Sequence, residues 1–398
     1  MSEPLRLGVL GLGRAFMLML PTLSQHPLCR LVAAADPRPE ARAQFEADFS
    51  TPGAPARAYA EIEALCADPE VEAIYIATPH QFHVEHVGLA ARHGKHILVE
   101  KPMALTLPDC QAMIAAARQA GVHLMVGHSH SYDTPYLHAA GLIRSGRFGA
   151  VRMISALNYT DFLYRPRRPE ELDTAQGGGV VFSQGAHQVD VARLLAGGRV
   201  ESVRAVTGRW DAGRPTEGAY QALLTFEGGA SASLTYSGYG RYDSDEQFGW
   251  QGELGQQRDP ESYGAARRGL AKVATPEEEA ALKNTRTYGV AKASVAAAPV
   301  AHNHFGPVLI SCERADLRPL ADGVMVYGDA ERWLEPLPAP AVPRAEVVDE
   351  MFAAIRHGVP PLHTGEWGMA TLEICLAILE SAATGREVRP QHQVGVGD

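Results

Sequence analysis

Leu5-Arg6-Leu7-Gly8-Val9-Leu10-Gly11-Leu12-Gly13-Arg14-Ala15-Phe16 sets a short apolar run directly before two glycines and the start of a helical pattern. A run of this length reads as a strand buried on both faces. The G-x-G behind it lets the backbone turn sharply and approach a pyrophosphate held at the N-terminus of the following helix. Phe16 stands where the third small residue of that fingerprint would be, so the turn taken alone is also readable as a plain strand-to-helix connection. Outward from it the alternation repeats. Apolar runs at 30–35, 71–78, 96–100 and 122–127 read as further buried strands, and 14–25, 39–49, 60–67, 82–93 and 107–120 carry helical spacing. Strand and helix in strict alternation predict a doubly wound parallel sheet with right-handed crossovers.

The rhythm changes after residue 128. One helix (134–144) leads into strands at 150–160, 200–210, 218–226 and 230–239, the last two joined by the hairpin signal Glu227-Gly228-Gly229. Helices are expected at 181–195, 344–357 and 367–383. The length of 398 residues suits two domains at roughly 150 residues each or somewhat more. The expected division is 1–128, a dinucleotide-binding α/β domain, and 129–398, an α+β domain built on a mostly antiparallel open sheet. Residues 243–300 fit neither pattern and read as a partly helical insertion at the edge of the second domain.

Composition narrows the partners. With 36 basic and 46 acidic residues the formal charge is -10, which favours neither a nucleic-acid backbone nor an anionic membrane surface. The five cysteines are far apart and without C-x-x-C spacing, as expected of reduced thiols in a cytoplasmic protein. No run of about 18 apolar residues predicts a membrane span. Only five of the basic residues are lysines, so Lys101 in the strand end His96-Ile97-Leu98-Val99-Glu100-Lys101-Pro102 stands out. Ligands of doubly wound sheets lie beyond the carboxyl ends of the strands. A lysine there can hold a hydroxyl and stabilise the charge left as its proton departs.

Asp36 ends the second strand, where a carboxylate accepts hydrogen bonds from the adenosine ribose hydroxyls. Its charge disfavours a 2′-phosphate, so NAD is expected in preference to NADP, although Arg38 nearby softens the argument. The same aspartate also reads as the N-cap of the next helix. In Gly177-Gly178-Gly179-Val180-Val181-Phe182-Ser183-Gln184-Gly185-Ala186-His187-Gln188-Val189-Asp190, a flexible glycine loop enters an apolar helix. Ser183 and His187 fall four apart and so on one helical face, with Asp190 three further on. His187 has the intrinsic pKa to accept a hydroxyl proton, and Asp190 is expected to hold its ring. Arg165, Arg167 and Arg168 lie between prolines just upstream. They read either as a solvated turn or as a bidentate grip on a carboxylate. His128, His130 and Tyr132 end the last strand of the first domain and are expected to line the same cleft. His302-Asn303-His304 lacks the accompanying ligand pattern of a metal site, so no metal is expected.

Together Gly11-Leu12-Gly13, Asp36, Ala77-Thr78-Pro79-His80-Gln81-Phe82-His83, Glu100-Lys101-Pro102, the triple glycine, Gly185, His187 and Asp190 resemble the glucose-fructose oxidoreductase and inositol dehydrogenase family, Gfo/Idh/MocA. The resemblance spans nearly all of the chain outside the insertion. It implies a nicotinamide-dependent dehydrogenase with an N-terminal Rossmann domain and a C-terminal sheet that builds a homodimer or homotetramer. It further implies that Gly11, Leu12, Gly13, Arg14, Asp36, Thr78, Pro79, His83, Glu100 and Lys101 border the cofactor. Lys101, His187 and Asp190 would carry the chemistry, with Ser183 among the substrate contacts. Ser183 departs from the aspartate many relatives carry four residues before the histidine, and a serine cannot act as a carboxylate base. Phe182-Ser183-Gln184 and the stretches 302–314 and 322–329 resemble the branch named phthalate 4,5-cis-dihydrodiol dehydrogenases. That implies NAD-dependent oxidation of phthalate cis-4,5-dihydrodiol to 4,5-dihydroxyphthalate, a small carboxylated substrate that gives the three arginines a task. A sugar, inositol or sugar-acid dehydrogenase and a non-catalytic dinucleotide sensor remain the alternatives.

Overall fold

Six short strands, β1 (Leu5–Leu10), β2 (Cys29–Ala35), β3 (Arg57–Tyr59), β4 (Ala73–Ile76), β5 (His96–Val99) and β6 (Leu124–Val126), pair in parallel in the order β3-β2-β1-β4-β5-β6. The computed structural model describes residues 3–290 and 301–398. Helices α1 (Arg14–Gln25), α2 (Pro39–Phe49), α3 (Ile62–Ala67), α4 (His83–Arg92) and α5 (Leu107–Ala120) alternate with the strands. Every residue of β4, Ala73-Ile74-Tyr75-Ile76, is buried, as a strand covered by helices on both faces requires. This is the doubly wound parallel sheet that the alternation implies. Between β1 and β4 the strand order reverses direction, and such a switch point opens a crevice at the strands' carboxyl ends. The three-residue β3 escapes a sequence reading because it is too short to show a period.

The second sheet has eight strands in the order β14-β13-β12-β11-β7-β10-β9-β8. Its members are β7 (Val151–Tyr159), β8 (Val200–Gly208), β9 (Ala219–Phe226), β10 (Ser231–Ser237), β11 (Val308–Cys312), β12 (Asp316–Leu320), β13 (Gly323–Tyr327) and β14 (Arg332–Pro336). All neighbours are antiparallel except β7 and β10. Helices α6 (Thr134–Arg144) and α7 (Ala186–Ala196) cover one face, α7 against β7 and β10 and α6 against β12 and β13. The other face is open. Leu223, Ser233, Ser155 and Leu309 form one cross-strand row on it, flanked by the exposed Met153 and Val206.

The chain divides into two compact units. One holds Met1–His128, Arg344–Met369 and, from the insertion, the described residues from 281 onward; the other holds Ser129–Ala280, the described part of Ala298–Pro343, and Ala370–Asp398. Helix α10 (Ala345–His357) and the turn after it are thus far in sequence from the rest of the unit they join: Arg356 bonds Glu72 at 2.9 Å, and the His363 carbonyl accepts from Val126 N–H at 2.9 Å. The described part of the insertion contains the short helices α8 (Ala265–Leu270) and α9 (Pro276–Asn284). Residues 291–300 of it lie outside the described residues. Among the described residues no helix is long and apolar enough to cross a membrane.

Candidate active site

In the first unit the glycine turn has a conformational reason. Gly11 has φ +92°, and a Cβ there would press on Thr78 and on the Ala77 carbonyl at about 3 Å, so the turn and the end of β4 are in contact only because the side chain is missing. Gly13 caps α1 with no side-chain hydrogen bond, and nothing lies within 4 Å of the place a Cβ would take. Open space over uncapped helix amides is the shape a pyrophosphate fills. Arg14, the first residue of α1, is exposed beside it. Asp36, 5% exposed, accepts from Leu12 N–H at 2.8 Å and from Arg38 N–H at 2.9 Å. Helix α2 itself starts at Pro39 with Arg38 at its cap, so Asp36 is bound both to the glycine turn and to the cap residue of the helix. These features suit the pyrophosphate and ribose of a dinucleotide.

The strand ends beside the turn are tied together by a histidine. His83 bridges the Thr78 carbonyl at 2.9 Å and the Met103 carbonyl at 3.1 Å, joining the Thr78-Pro79 turn to the one that follows Lys101. Burial pushes its pKa down to about 4 in spite of both carbonyls, so the ring is neutral at pH 7 and donates to one of them at a time. Thr78 also bonds His86 through its hydroxyl at 2.9 Å. Glu100 is held by Tyr75 Oη at 2.5 Å, and burial raises its pKa while the Lys101 ammonium opposes the shift. Lys101 is followed by a cis bond to Pro102, and the buried His128 is preceded by a cis bond from Gly127.

In the second unit a buried polar cluster surrounds two histidines. His130, on the turn before α6, donates through Nδ1 to Asp133 at 2.6 Å and through Nε2 to Glu253 at 3.3 Å. Burial works against its charge, but Asp133 and then Glu253 outweigh that and raise its pKa above the ordinary value. Burial would also raise Glu253, yet His130, Arg165 and His304 bring its carboxyl down to about 2. Each partner thus favours the charged form of the other. His187, 6% exposed near the start of α7, stands edge-on to His130 with ring centroids 4.8 Å apart and 5.1 Å from the Phe305 ring. Phe305 stacks against Tyr236 at 6.1 Å and so floors the cluster.

The arginines differ in their freedom. Arg165 donates through Nε to Asp161 at 3.0 Å, and its terminal nitrogens bond no described residue. Burial lowers its pKa, but Asp161, Glu253 and Tyr236 raise it further, which places the guanidinium next to the His130–Glu253 pair. Arg167 is held at its terminal nitrogens, although its buried Nε has no hydrogen-bond partner: it lies 3.5 Å over the Phe162 ring, donates to the Phe162 carbonyl at 2.6 Å and pairs with Glu171 at 3.6 Å. Burial and the neighbouring Arg165 lower its pKa to about 10. Arg168 starts the turn Pro169–Leu172, its backbone N–H donating to Glu171 at 2.9 Å.

The glycine run is a packing requirement. A Cβ on Gly178 would strike the Glu171 backbone, and one on Gly179, where φ is +83°, would overlap the Glu217 carboxylate. Behind it Val181–Gly185 is a π-helical turn, so the even helical spacing expected between Ser183 and His187 is broken there, and the Ser183 hydroxyl bonds the Gly179 carbonyl. Asp190 receives the Ser131 hydroxyl, Thr371 Oγ1 at 2.9 Å and Arg193 at 4.0 Å, which clamps α7 to the turn carrying His130. Sequence reading missed Asp133, Glu253, Tyr236 and Phe305. Asp133 was visible as an i+3 partner of His130; the others come from 106 to 175 residues further along the chain. His302 and His304 donate through Nε2 to the backbone carbonyls of Pro338 and Gln251, both at 2.8 Å, and among the described residues no cluster of three or more His, Cys, Asp or Glu is arranged for a metal.

Comparison with known proteins bears on these sites. Residues 5–128 match an oxidoreductase family with an NAD-binding Rossmann fold, and residues 136–257 match the GFO/IDH/MocA C-terminal domain. The 1-carboxy-3-chloro-3,4-dihydroxycyclohexa-1,5-diene dehydrogenase of Comamonas testosteroni is 52% identical over 378 residues, 94% of each chain. A proposed dehydrogenase from Bordetella bronchiseptica RB50 superimposes with a TM-score of 0.91 at 42% identity, covering 97% of this chain and 100% of the other. The WlbA dehydrogenase from Bordetella pertussis, solved with NADH and UDP-GlcNAcA, shares the fold at 22% identity and a TM-score of 0.68, over 97% and 99% of the two chains.

Proposed function

We propose a carboxylated cyclohexadiene cis-diol as the substrate of this chain, which belongs to the Gfo/Idh/MocA oxidoreductase family and is an NAD-dependent dehydrogenase acting on CH–OH groups. The observation that carries the substrate class is Arg165, whose terminal nitrogens bond no described residue and whose charge interacts with Glu253, the hydrogen-bond partner of His130. A planar guanidinium grips a carboxylate through two parallel N–H···O bonds. The substrate in the name of the Comamonas relative bears one carboxyl group and a vicinal diol, in keeping with a grip by Arg165. Because Arg167 is already held by Phe162 and Glu171, a single carboxylate suits the cluster better than the two of phthalate cis-4,5-dihydrodiol, which stays in the panel as the second candidate.

Bound NAD+ supplies the hydride acceptor. His187 accepts the proton of the hydroxyl whose carbon gives up hydride, and Lys101 orients that hydroxyl and steadies the developing alkoxide. The His130 ring, fixed between Asp133 and Glu253, stands edge-on to the His187 ring and holds it in place. The hydroxy-dienone left behind gives up its ring C–H proton while the new carbonyl oxygen gains one, and so becomes a catechol; aromatisation draws the reaction forward. Asp190 positions α7 rather than touching the reacting atoms.

Turnover of a substrate panel, followed by NADH absorbance, tests this reading. Oxidation of carboxylated cis-diols is expected; oxidation of inositol or glucose alone would establish the sugar alternative, and no turnover with intact NAD+ binding would establish the sensor. The open sheet face with Met153, Val206, Leu223 and Leu309 supports assembly into a homodimer or homotetramer, which light scattering reads directly. None of the five cysteines is in a disulfide and four of them are buried, in keeping with a cytoplasmic setting.

A further inference from the structure

The described part of the insertion ends in Thr287-Tyr288-Gly289, and these residues are fastened to the helices that flank Asp36. Tyr288, fully buried, meets the Phe16 ring of α1 edge-on at 5.2 Å and donates to Asp48 of α2 at 2.5 Å. Gly289, at φ +83°, packs on Ala41 so closely that a Cβ would stand 2.8 Å from its Cα. Seated this way, the segment presents two acceptors to Arg38. Nη1 donates to Thr287 Oγ1 and to the Tyr288 carbonyl, both at 3.0 Å. The single proton of the Thr287 hydroxyl goes to the Asn284 carbonyl at 2.7 Å, so towards Arg38 it can only accept.

The remaining donors of Arg38 are also in use. Nε donates to Asp36 Oδ1 at 2.9 Å, and Nη2 donates to the Leu12 carbonyl at 2.7 Å and to Asp36 Oδ2 at 3.1 Å. A guanidinium has five N–H groups, and all five are accounted for. An arginine just past the acidic residue is the group that would accommodate a 2′-phosphate in an NADP-binding site. Here it has no hydrogen left to offer, and its charge is already matched by Asp36. A ribose hydroxyl, by contrast, needs only to displace the longest of these contacts, Nη2 on Asp36 Oδ2.

On the reading of Asp36 as the ribose contact, we propose that Thr287 and the Tyr288 carbonyl are determinants of NAD specificity, acting by occupying Arg38 so that it cannot bind a 2′-phosphate. Arg38 and Thr287 are then positioning residues. Calorimetric titration of the full chain with NAD+ and NADP+ tests this without reference to turnover. In Thr287→Val the ratio Kd(NADP+)/Kd(NAD+) should fall about three- to tenfold, the worth of one released charge-assisted donor. It should stay at the native value in Thr287→Ser, and the gain should vanish in the double variant Thr287→Val/Arg38→Leu. Thr287→Ala gives the same reading should valine disturb the packing. An unchanged ratio in both Thr287→Val and Thr287→Ala, or a gain that persists without Arg38, would overturn the proposal. If Asp36→Ala binds NAD+ as tightly as the native chain, the ribose reading itself fails, a separate result.

Discussion

Replacing Arg165 by methionine keeps the length and much of the apolar stem while removing the fork. In the structure only Nε is engaged, by Asp161 at 3.0 Å, so the two terminal nitrogens can make two charge-assisted bonds to a substrate carboxylate. Such bonds contribute about 1.5–3 kcal/mol each when desolvated. The Arg165 side chain is 37% exposed, which places the pair at the low end, about 2–3 kcal/mol together. At about 1.4 kcal/mol per factor of ten this is about a 30- to 150-fold loss in kcat/KM, carried mainly by KM because the carboxylate is held alike in ground and transition states. The assay is NADH formation from the carboxylated cis-diol and from the same diol without its carboxyl group, for native enzyme, Arg165→Met and Arg165→Lys. The loss should fall on the carboxylated substrate alone, with lysine in between, since it restores charge without the fork. An equal loss on both substrates would show that Arg165 merely supports the cluster, and no loss on either would place the carboxylate elsewhere.

Three other perturbations follow from the geometry. His187→Gln should lower kcat by about 10² to 10⁴ while leaving the NAD+ dissociation constant within twofold, as steady-state rates and titration would show; retained activity would remove the proton acceptor from the scheme. Gly179→Ala forces a side chain onto Glu217 at a positive φ and should cost about 2 kcal/mol or more of stability, read as a lower urea midpoint, with a native-like midpoint as the contrary result. His83 titrates near 4 in the folded chain and near 6.5 unfolded, so between those values the unfolded chain binds the extra proton and stability falls as pH falls, by about 1.4 kcal/mol per pH unit at most. Urea unfolding from pH 7 to pH 4.5 should show that slope reduced by about one proton in His83→Gln; identical slopes in both proteins would contradict the neutral buried ring.

The parallel sheet was legible because its strands are uninterrupted apolar runs and its helices carry a clear period. The outer strands of the second sheet were not: β12 reads Asp316-Leu317-Arg318-Pro319-Leu320, in which alternation is confined to two residues and a proline argues against a strand. The proline is tolerated because neighbouring register, not local propensity, sets this segment. At the site, His187 and Lys101 stood out by residue type and spacing. Glu253 did not, since its meaning depends on His130 lying 123 residues earlier in the chain, and neither helix nor strand periodicity reports such a pairing. The triple glycine was visible but misread as looseness; the reason for it is the close approach of Glu171 and Glu217. Asp190 illustrates the same limit, as Thr371, which fixes it, lies 181 residues away.

A crystal structure of the chain with NAD+ and the catechol carboxylate product would test the central claim most directly. The carboxylate is expected within about 3 Å of the Arg165 terminal nitrogens, with one ring oxygen in hydrogen-bond reach of His187. A carboxylate turned to solvent or seated on another cation, with the ring oxygens away from His187, would contradict it.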